Sequence, residues 1–485
     1  MAESEIPAQP TSTTAAALPV VPDRLPVLYG VNERPRPFPK ALGLGLQHVL
    51  AMFGATASVP LLLGPAMGMS TDQIGLLVSS VMICSGIATF LQVRFGTRLP
   101  IVQGVSFAFL GPFFAIIAAT GGGAETMQYI AGAILGGALV EALVGYSTLF
   151  GRLRRFISPV VIGPVIALIG LALFQVGAPQ AGRDWWLAGL VIGLTFLFAL
   201  GLARRWRLFG LFPILLAVTL AYAVAALLTA AGAYGPEHPG AVKLGPVFAT
   251  PWFRDPATIL LPWGPPRFHL GFFLATLAGY LASMIESFGD YFAVARAAGE
   301  PDPTPRQVDR GIGAEGIGCA VTGLLGGFAS TSYSENIGLV ALTRVASRHV
   351  VYLGAAMLVG LGLVAKFGAM VATLPSPIVG GLYCTLFGLI SAVGLSTAAR
   401  ADLNSQRNLL IIGFILFMGL SVPAYFRGVP ALGYAPVELS IPGAPWLADM
   451  IETIGSTGMA VAAILGLLLD NLIPGTDRER GLAPR

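Results

Sequence analysis

Long apolar runs separated by short polar breaks make up nearly all of this chain. They recur at about 20 residues per run, the length an α-helix needs to cross a hydrocarbon layer. Runs bounded by Gly, Pro or charge predict spans at 41–63, 74–92, 103–119, 127–148, 157–175, 184–203 and 209–232. A polar stretch, 233–267, separates these from spans at 269–295, 308–327, 335–346, 349–372, 376–397, 406–426 and 452–473. The expected fold is an all-α polytopic membrane protein with 14 transmembrane segments. They fall into two sets of seven, and an odd number per half means that related halves must be inverted in the membrane. The expected organisation is a disordered cytoplasmic tail (1–38), a first seven-segment repeat (39–232), an external loop (233–267), a second repeat (268–474) and a cytoplasmic tail (475–485).

The third run of each half departs from the pattern. Pro100–Pro112 and Ala329–Arg344 each begin with small or β-branched residues and then continue as a short apolar helix. Backbone that is not helical survives at membrane depth only where protein or a water-filled cavity satisfies its polar groups. The two interrupted pieces are therefore expected to pair with each other as short strands. Each half-helix would then aim its N-terminal N–H groups at one central point. Matching broken segments in two halves are the sequence pointer to a transporter binding site.

Composition agrees with the pattern. The chain is 55% hydrophobic and 11% charged, against roughly 25% charged in soluble domains, and its mean hydropathy is +0.78. A net charge of +4 does not suggest a nucleic-acid binder. Of the 28 basic residues, 22 fall in the tails and loops on the side of the N-terminus and 5 on the other side. By the positive-inside rule both termini are cytoplasmic. Cys84, Cys319 and Cys384 lie inside apolar runs and read as buried thiols. The first 38 residues lack the basic start and apolar core of a signal peptide. The 62 glycines suit close helix packing. With no Walker-type motif, no Ser–His–Asp arrangement and no metal-ligand spacing, neither an enzyme nor a cofactor or metal site is expected.

The remaining candidates are polar residues inside apolar spans, which are costly there and mark function by default. Glu286 is mid-span, with Asp290 one turn further on the same face. Glu335 and Asn336 open the second half-helix; Ser334 or Asn336 would be the more typical cap, leaving the carboxylate free. Glu315 is a third acid of this half, suited to proton handling or to support of the site. Gln47 and His48 sit near the start of the first span, and Phe107 stands beside the break in the third. Glu141, Gln175 and Asp470 suit interhelical hydrogen bonds. Lys366 suits the outer end of its span, where it can snorkel.

From Leu42 to about Leu482 the sequence resembles the nucleobase–ascorbate transporter family, the second type of nucleobase:cation symporters. The matching pieces are Gln47-His48, Gly104–Phe109, Glu286–Tyr291, Glu335–Arg344, Asp402–Asn408 and Leu469–Gly475. The resemblance implies a seven-plus-seven inverted repeat divided into a core and a gate domain, assembled as a homodimer through the gate. It implies that Glu286 and Glu335 hold the base, that Phe107 stacks on it, and that backbone at Tyr333 and Ser334 lines the site beside Asn336. Asp290 stands at a position where other members carry His or Asp, and Glu315 corresponds to an acid linked to proton coupling. Ser-Glu-Asn-Ile-Gly looks like the uracil permeases, whereas Glu286–Tyr291 and Asp402–Asn408 look like the purine–ascorbate branch.

The expected function is secondary active, proton-coupled uptake of a nucleobase across a bacterial cytoplasmic membrane. Uracil comes first, and xanthine, uric acid or another oxopurine second; sodium is the alternative coupling ion. A sulfate- or bicarbonate-type anion carrier of the same architecture is the rival transporter, and a channel or non-transporting membrane receptor the rival class. Beyond the small molecule and membrane lipid, no nucleic-acid partner is expected.

Overall fold

Two strands of three residues lie in the middle of a chain that is 71% helical. β1 (Gln103–Val105) pairs antiparallel with β2 (Ser330–Ser332), placing Gln103 opposite Ser332, Gly104 opposite Thr331 and Val105 opposite Ser330. The pairing continues at both ends, where Tyr333 N–H donates to the Val102 carbonyl and Ser106 N–H to the Ala329 carbonyl, each at 3.0 Å. The two interrupted runs therefore do satisfy each other's backbone. The computed structural model describes residues 27–482 except 149, 151–153 and 430–432.

The helices follow the hydropathy pattern. The first half contains α1 (Phe38–Ala66), α2 (Thr71–Phe95), then β1 and a tight turn (Phe107–Phe109) leading into α3 (Leu110–Thr120), and α4 (Gly123–Tyr146). It continues with α5 (Pro159–Leu171), α6 (Phe174–Ala181), α7 (Trp185–Phe196) and α8 (Pro213–Ala230). The second half repeats the plan with α9 (Leu270–Ala297), α10 (Pro305–Leu324), β2 with α11 (Ser334–Thr343), and α12 (Arg348–Leu363) bent into α13 (Ala365–Ala372). It ends with α14 (Ser376–Ala398), α15 (Gln406–Arg427), α16 (Pro445–Gly455) and α17 (Gly458–Leu472). Among the described residues nine helices are long and apolar enough to cross a membrane, counting α5 with α6 (Pro159–Ala181) and α7 with its continuation (Trp185–Arg204) as one each, and the bent α12–α13 pair makes a tenth. The broken runs fall below that length because each gives its first turns to a strand.

The packing divides these elements into two groups. α1–α4 pack mainly with α9–α13, through α4 on α10, α2 on α12 and α13, and α1 on α12. α5–α8 pack with α14–α17, through α14 on α5, α6 and α7, and α15 on α17. The contacts are exchanged between halves: α4 meets α10 as α2 meets α12, and α4 meets α9 as α1 meets α12. An inverted repeat produces this pattern. Close approach is made by missing side chains, as where a Cβ on Gly145 would fall 2.2 Å from the Gly313 nitrogen.

The structure departs from the predicted boundaries in three places. The eleventh run bends by 78° at Val364 and is not straight; the loop before α9 fits against the break, with Arg254 N–H donating to the Leu363 carbonyl at 2.9 Å. The last run is split, α16 standing before α17. The predicted disordered tail, 1–38, lies largely outside the described residues, but its final part is ordered. Tyr29 bridges Val345, Leu28 N–H donates to the Arg344 carbonyl at 2.8 Å, and Arg348 N–H donates to that of Val31 at 3.0 Å. These bonds satisfy the backbone of the turn after α11, which an isolated tail would leave to water. Lys366 reaches the loop before α9, its ammonium donating to the Val247 carbonyl at 2.9 Å.

Gly104 leaves no room in the first strand, since a Cβ there would sit 2.4 Å from Cζ of the Tyr333 ring. Gly104→Ala is expected to destabilise the protein by about 1–3 kcal/mol, the range for overpacking a filled core. A thermal unfolding midpoint in detergent equal to the wild type's would refute that contact.

Candidate functional site

The ends of the two strands open onto a cavity of about 170 Å³ between the two helix groups. Val105 and Phe107 line it from the first break, Thr331–Glu335 from the second, and Glu286 from the middle of α9. The opposite wall is Ile166 and Ile169 of α5 with Leu389, Ile390 and Val393 of α14. Pockets for drug-sized ligands run to roughly 300–1,000 Å³, so this one suits a molecule of one or two small rings.

Glu286 and Glu335 stand half-buried at this cavity from two different elements. Neither is in a salt bridge or bonded to another residue's side chain among the described residues. Glu335 lies in the first turn of α11, where unpaired backbone N–H groups and the helix dipole accommodate negative charge. Tyr333, at the start of that helix, supplies no side-chain cap. Its hydroxyl instead donates to the Val105 carbonyl at 3.0 Å and locks the two breaks together. Phe107 is edge-on to Phe387 at 5.8 Å between centroids, and Phe387 stacks on Tyr383 at 5.2 Å. An aromatic ring is thereby held at the cavity wall.

Behind the cavity runs a chain of hydroxyls and acids. Ser334 and Ser332 each donate to the Asp290 carboxyl at 2.8 Å. Ser332 and Ser287 lie 3.0 Å apart. Ser287 donates to Glu315 at 2.7 Å, and that carboxyl also accepts from Ser283, Tyr291 and Gln103 at 3.1–3.3 Å. Glu315 is buried, and the side chain of Gln103 carries it to the first strand. Asp290 and Glu315 are thus wired to the strands and do not line the cavity.

Other candidates are placed elsewhere. His48 is buried and joins α1 to α11, its carbonyl accepting from the Asn336 amide at 2.9 Å and its ring meeting the same amide at 3.2 Å. Asn336 faces α1, and Gln47 is half-buried; neither lines the cavity. Asp470 does bond between segments, to Ser158 at 2.7 Å and with ion pairs to Arg407 at 3.0 Å and Arg480 at 2.7 Å. Gln175, expected to do the same, is exposed, and both carboxyl oxygens of Glu141 lack a partner among the described residues. The five apolar wall residues escaped sequence reading, because Ile, Leu and Val inside apolar helices carry no signal of what they face.

A family model described as a permease family, that of the nucleobase–ascorbate transporters, matches residues 39–428. The chain belongs to this family. Solute carrier family 23 member 2 of Mus musculus is 37% identical over 508 residues, covering 95% of this chain and 76% of its own. Nucleobase-ascorbate transporter 1 of Arabidopsis thaliana is 37% identical over 478 residues, covering 94% and 91%. Among solved structures, the transmembrane domain of a cyanobacterium bicarbonate transporter, BicA, superposes with a TM-score of 0.53 at 14% identity, over 88% of this chain and 99% of that one. SLC26A9 does so with a TM-score of 0.56 at 13% identity, over 87% and 65%. At that identity the likeness is one of fold, and it shares the seven-plus-seven plan. As a member of the nucleobase–ascorbate transporter family the protein is a multi-pass transporter.

In this family member Asp290 holds two serines of the second break at once. Asp290→Asn would replace one acceptor oxygen by a donor, so one serine would lose its acceptor. The expected cost is about 1.5–3 kcal/mol, the range for a hydrogen bond to a charged group. It is read as a lower thermal midpoint in detergent, and a midpoint equal to the wild type's would mean that Asp290 does not hold the serines.

Proposed function

We propose that the protein takes up a nucleobase with a proton, uracil first and xanthine, uric acid or another oxopurine second. The observation that carries this reading is that Glu286 and Glu335 line one small cavity whose lining, among the described residues, includes no Lys, Arg or His. Ring N–H groups flanked by carbonyls, as in uracil and xanthine, suit such a site. The carboxylates accept from the N–H groups, and the N–H groups at the start of α11 donate to the carbonyls. Phe107 offers a face to a planar ring. The apolar wall of α5 and α14 excludes water on the other side without selecting by hydrogen bonds.

The same lining counts against anions. Ascorbate, part of the name of the plant relatives, and bicarbonate, the cargo in the name of a structural neighbour, would meet two carboxylates with no cation to balance them. The acids also call for an incoming positive charge, which a proton supplies as the base binds; sodium would do so in its place. The excess of basic residues in the loops and tails on one side supports an orientation with both termini in the cytoplasm. A homodimer joined through α5–α8 and α14–α17 would leave the other group free to move.

Cells expressing the protein are expected to accumulate labelled uracil or xanthine and to stop when a protonophore is added. Accumulation of ascorbate instead, or dependence on sodium with indifference to the protonophore, would sink the respective halves of the proposal. Glu335→Gln removes the charge but keeps the shape. Loss of a charged hydrogen bond of about 1.5–3 kcal/mol predicts roughly a 10- to 100-fold weaker apparent affinity for the base. An unaltered half-saturation concentration would remove Glu335 from the binding site.

A further inference from the structure

The two half-helices end differently. α3 runs out into Gly121, Gly122 and Gly123, all at positive φ, and the Gly123 N–H donates to the Met67 carbonyl between α1 and α2 at 2.8 Å. α11 ends at Arg344, which takes the left-handed form with φ 59° although a side chain disfavours it. Val345, Ala346 and Ser347, which follow, are buried. Their backbone is held by a segment that precedes the first repeat, residues 28–33 of the chain itself.

This strap lies along the turn as an added strand would. The Leu28 and Tyr29 N–H groups both donate to the Arg344 carbonyl, at 2.8 and 3.4 Å. In return the Ala346 and Arg348 N–H groups donate to the carbonyls of Tyr29 and Val31, at 2.9 and 3.0 Å. Ser347, at the start of α12, gives its hydroxyl to the Glu33 carbonyl at 2.5 Å and leaves that helix without a side-chain cap. From α1, Lys40 donates to the Tyr29 hydroxyl at 2.8 Å. Val31 is buried in the same cluster as Ile337 and Val340 of α11. Backbone bonds, a hydroxyl and apolar packing thus all tie residues 28–33 to the end of one half-helix.

What the strap can do follows from the length of that helix. α11 has 10 residues and so spans about 15 Å. Helices curve only gently, so over this length its two ends turn together. Its first turn carries Glu335 into the cavity lining. That end is held by the Tyr333 N–H on the Val102 carbonyl and by the Asn336 amide on His48. A helix freed at its last turn would swing about these bonds and take Glu335 with it.

We propose that Tyr29 and Val31 are positioning residues for base binding. The strap fixes the tilt of α11 from the end remote from the cavity, and through it the place of the Glu335 carboxylate. Release of the strap weakens binding of the base without touching any residue of the cavity lining. This inference rests on the reading of Glu335 as a ligand to the base.

The test uses the purified full-length protein with Val31→Asp, which puts a charge into the buried cluster, and Val31→Ile, which keeps the cluster filled. Val31→Asp is expected to speed amide hydrogen exchange at Ala346 and Arg348 and along α11. Equilibrium binding of labelled uracil or xanthine is expected to weaken about fivefold or more, the low end of the range for coupled sites. Val31→Ile is expected to match the wild type in both. Faster exchange at Ala346 and Arg348 with unaltered affinity, even with a lower thermal midpoint, would make the strap a structural tie and overturn the proposal. If Val31→Asp does not fold, Leu28→Pro removes a donor to the Arg344 carbonyl at an exposed position and is read in the same way. Unaltered exchange at Ala346 and Arg348 in a folded variant would mean that the strap does not hold the turn, and overturns the proposal equally. A wild type that binds neither base overturns the reading of Glu335 as a ligand, and exchange along α11 in substrate-free protein then judges the strap by itself.

Discussion

A peptide group at membrane depth must find a partner inside the protein, and this constraint shapes the centre of the molecule. Helices meet it by themselves. The two runs that interrupt a helix meet it only together, through three strand pairs extended at each end by a further backbone bond. The requirement selects small residues, since Gly104 must lie under the Tyr333 ring. It also draws in hydroxyls: Thr89 donates to the Gln103 carbonyl at 3.2 Å and accepts from the Gln103 N–H at 2.9 Å. The cavity is a by-product of that pairing, because two half-helices that begin at a shared antiparallel sheet turn their unpaired N–H groups toward its centre.

Charge is distributed very differently in the two helix groups. The group built on α5–α8 and α14–α17 neutralises its buried acid, Asp470, with two guanidinium groups. The other group brings Glu141, Glu286, Asp290, Glu315 and Glu335 together with no ion pair to any of them among the described residues, and supplies hydroxyls and amides in place of cations. Removing one partner from a buried ion pair is severely destabilising, whereas a hydroxyl can turn to suit either charge state of its neighbour. The first arrangement fits a fixed scaffold, the second a site whose charge changes.

Much of this was legible in the sequence, for reasons that can be named. Hydropathy located 14 runs because a membrane helix has a required length. The pairing of segments three and ten followed from their non-helical composition and the backbone constraint. The mid-span acids stood out because apolar surroundings make them expensive. What stayed hidden was direction. Gln47 and His48 are adjacent, yet neighbours on a helix point about 100° apart, and only His48 turns toward Asn336. Glu335 and Asn336 are separated in the same way, one toward the cavity and one toward α1. Nor does composition distinguish Ile166 or Val393 at the cavity wall from an aliphatic residue facing lipid. The bend at Val364 has no proline to announce it, and the loop that donates to the Leu363 carbonyl there is far away in sequence.

The anchoring of the two chain ends has a consequence of its own. The strap at Tyr29 is hydrogen-bonded beside the half-helix that bears Glu335. At the opposite end, Asp402 N–H and the Asn408 amide both donate to the Glu479 carbonyl, at 2.9 and 2.8 Å, fastening the C-terminal stretch to the helix group that holds Asp470. Tyr29 and Glu479 are thus anchored on different helix groups. A pair of spectroscopic labels placed on these two anchors would form a built-in ruler for the separation of the two helix groups, insensitive to rearrangements within either.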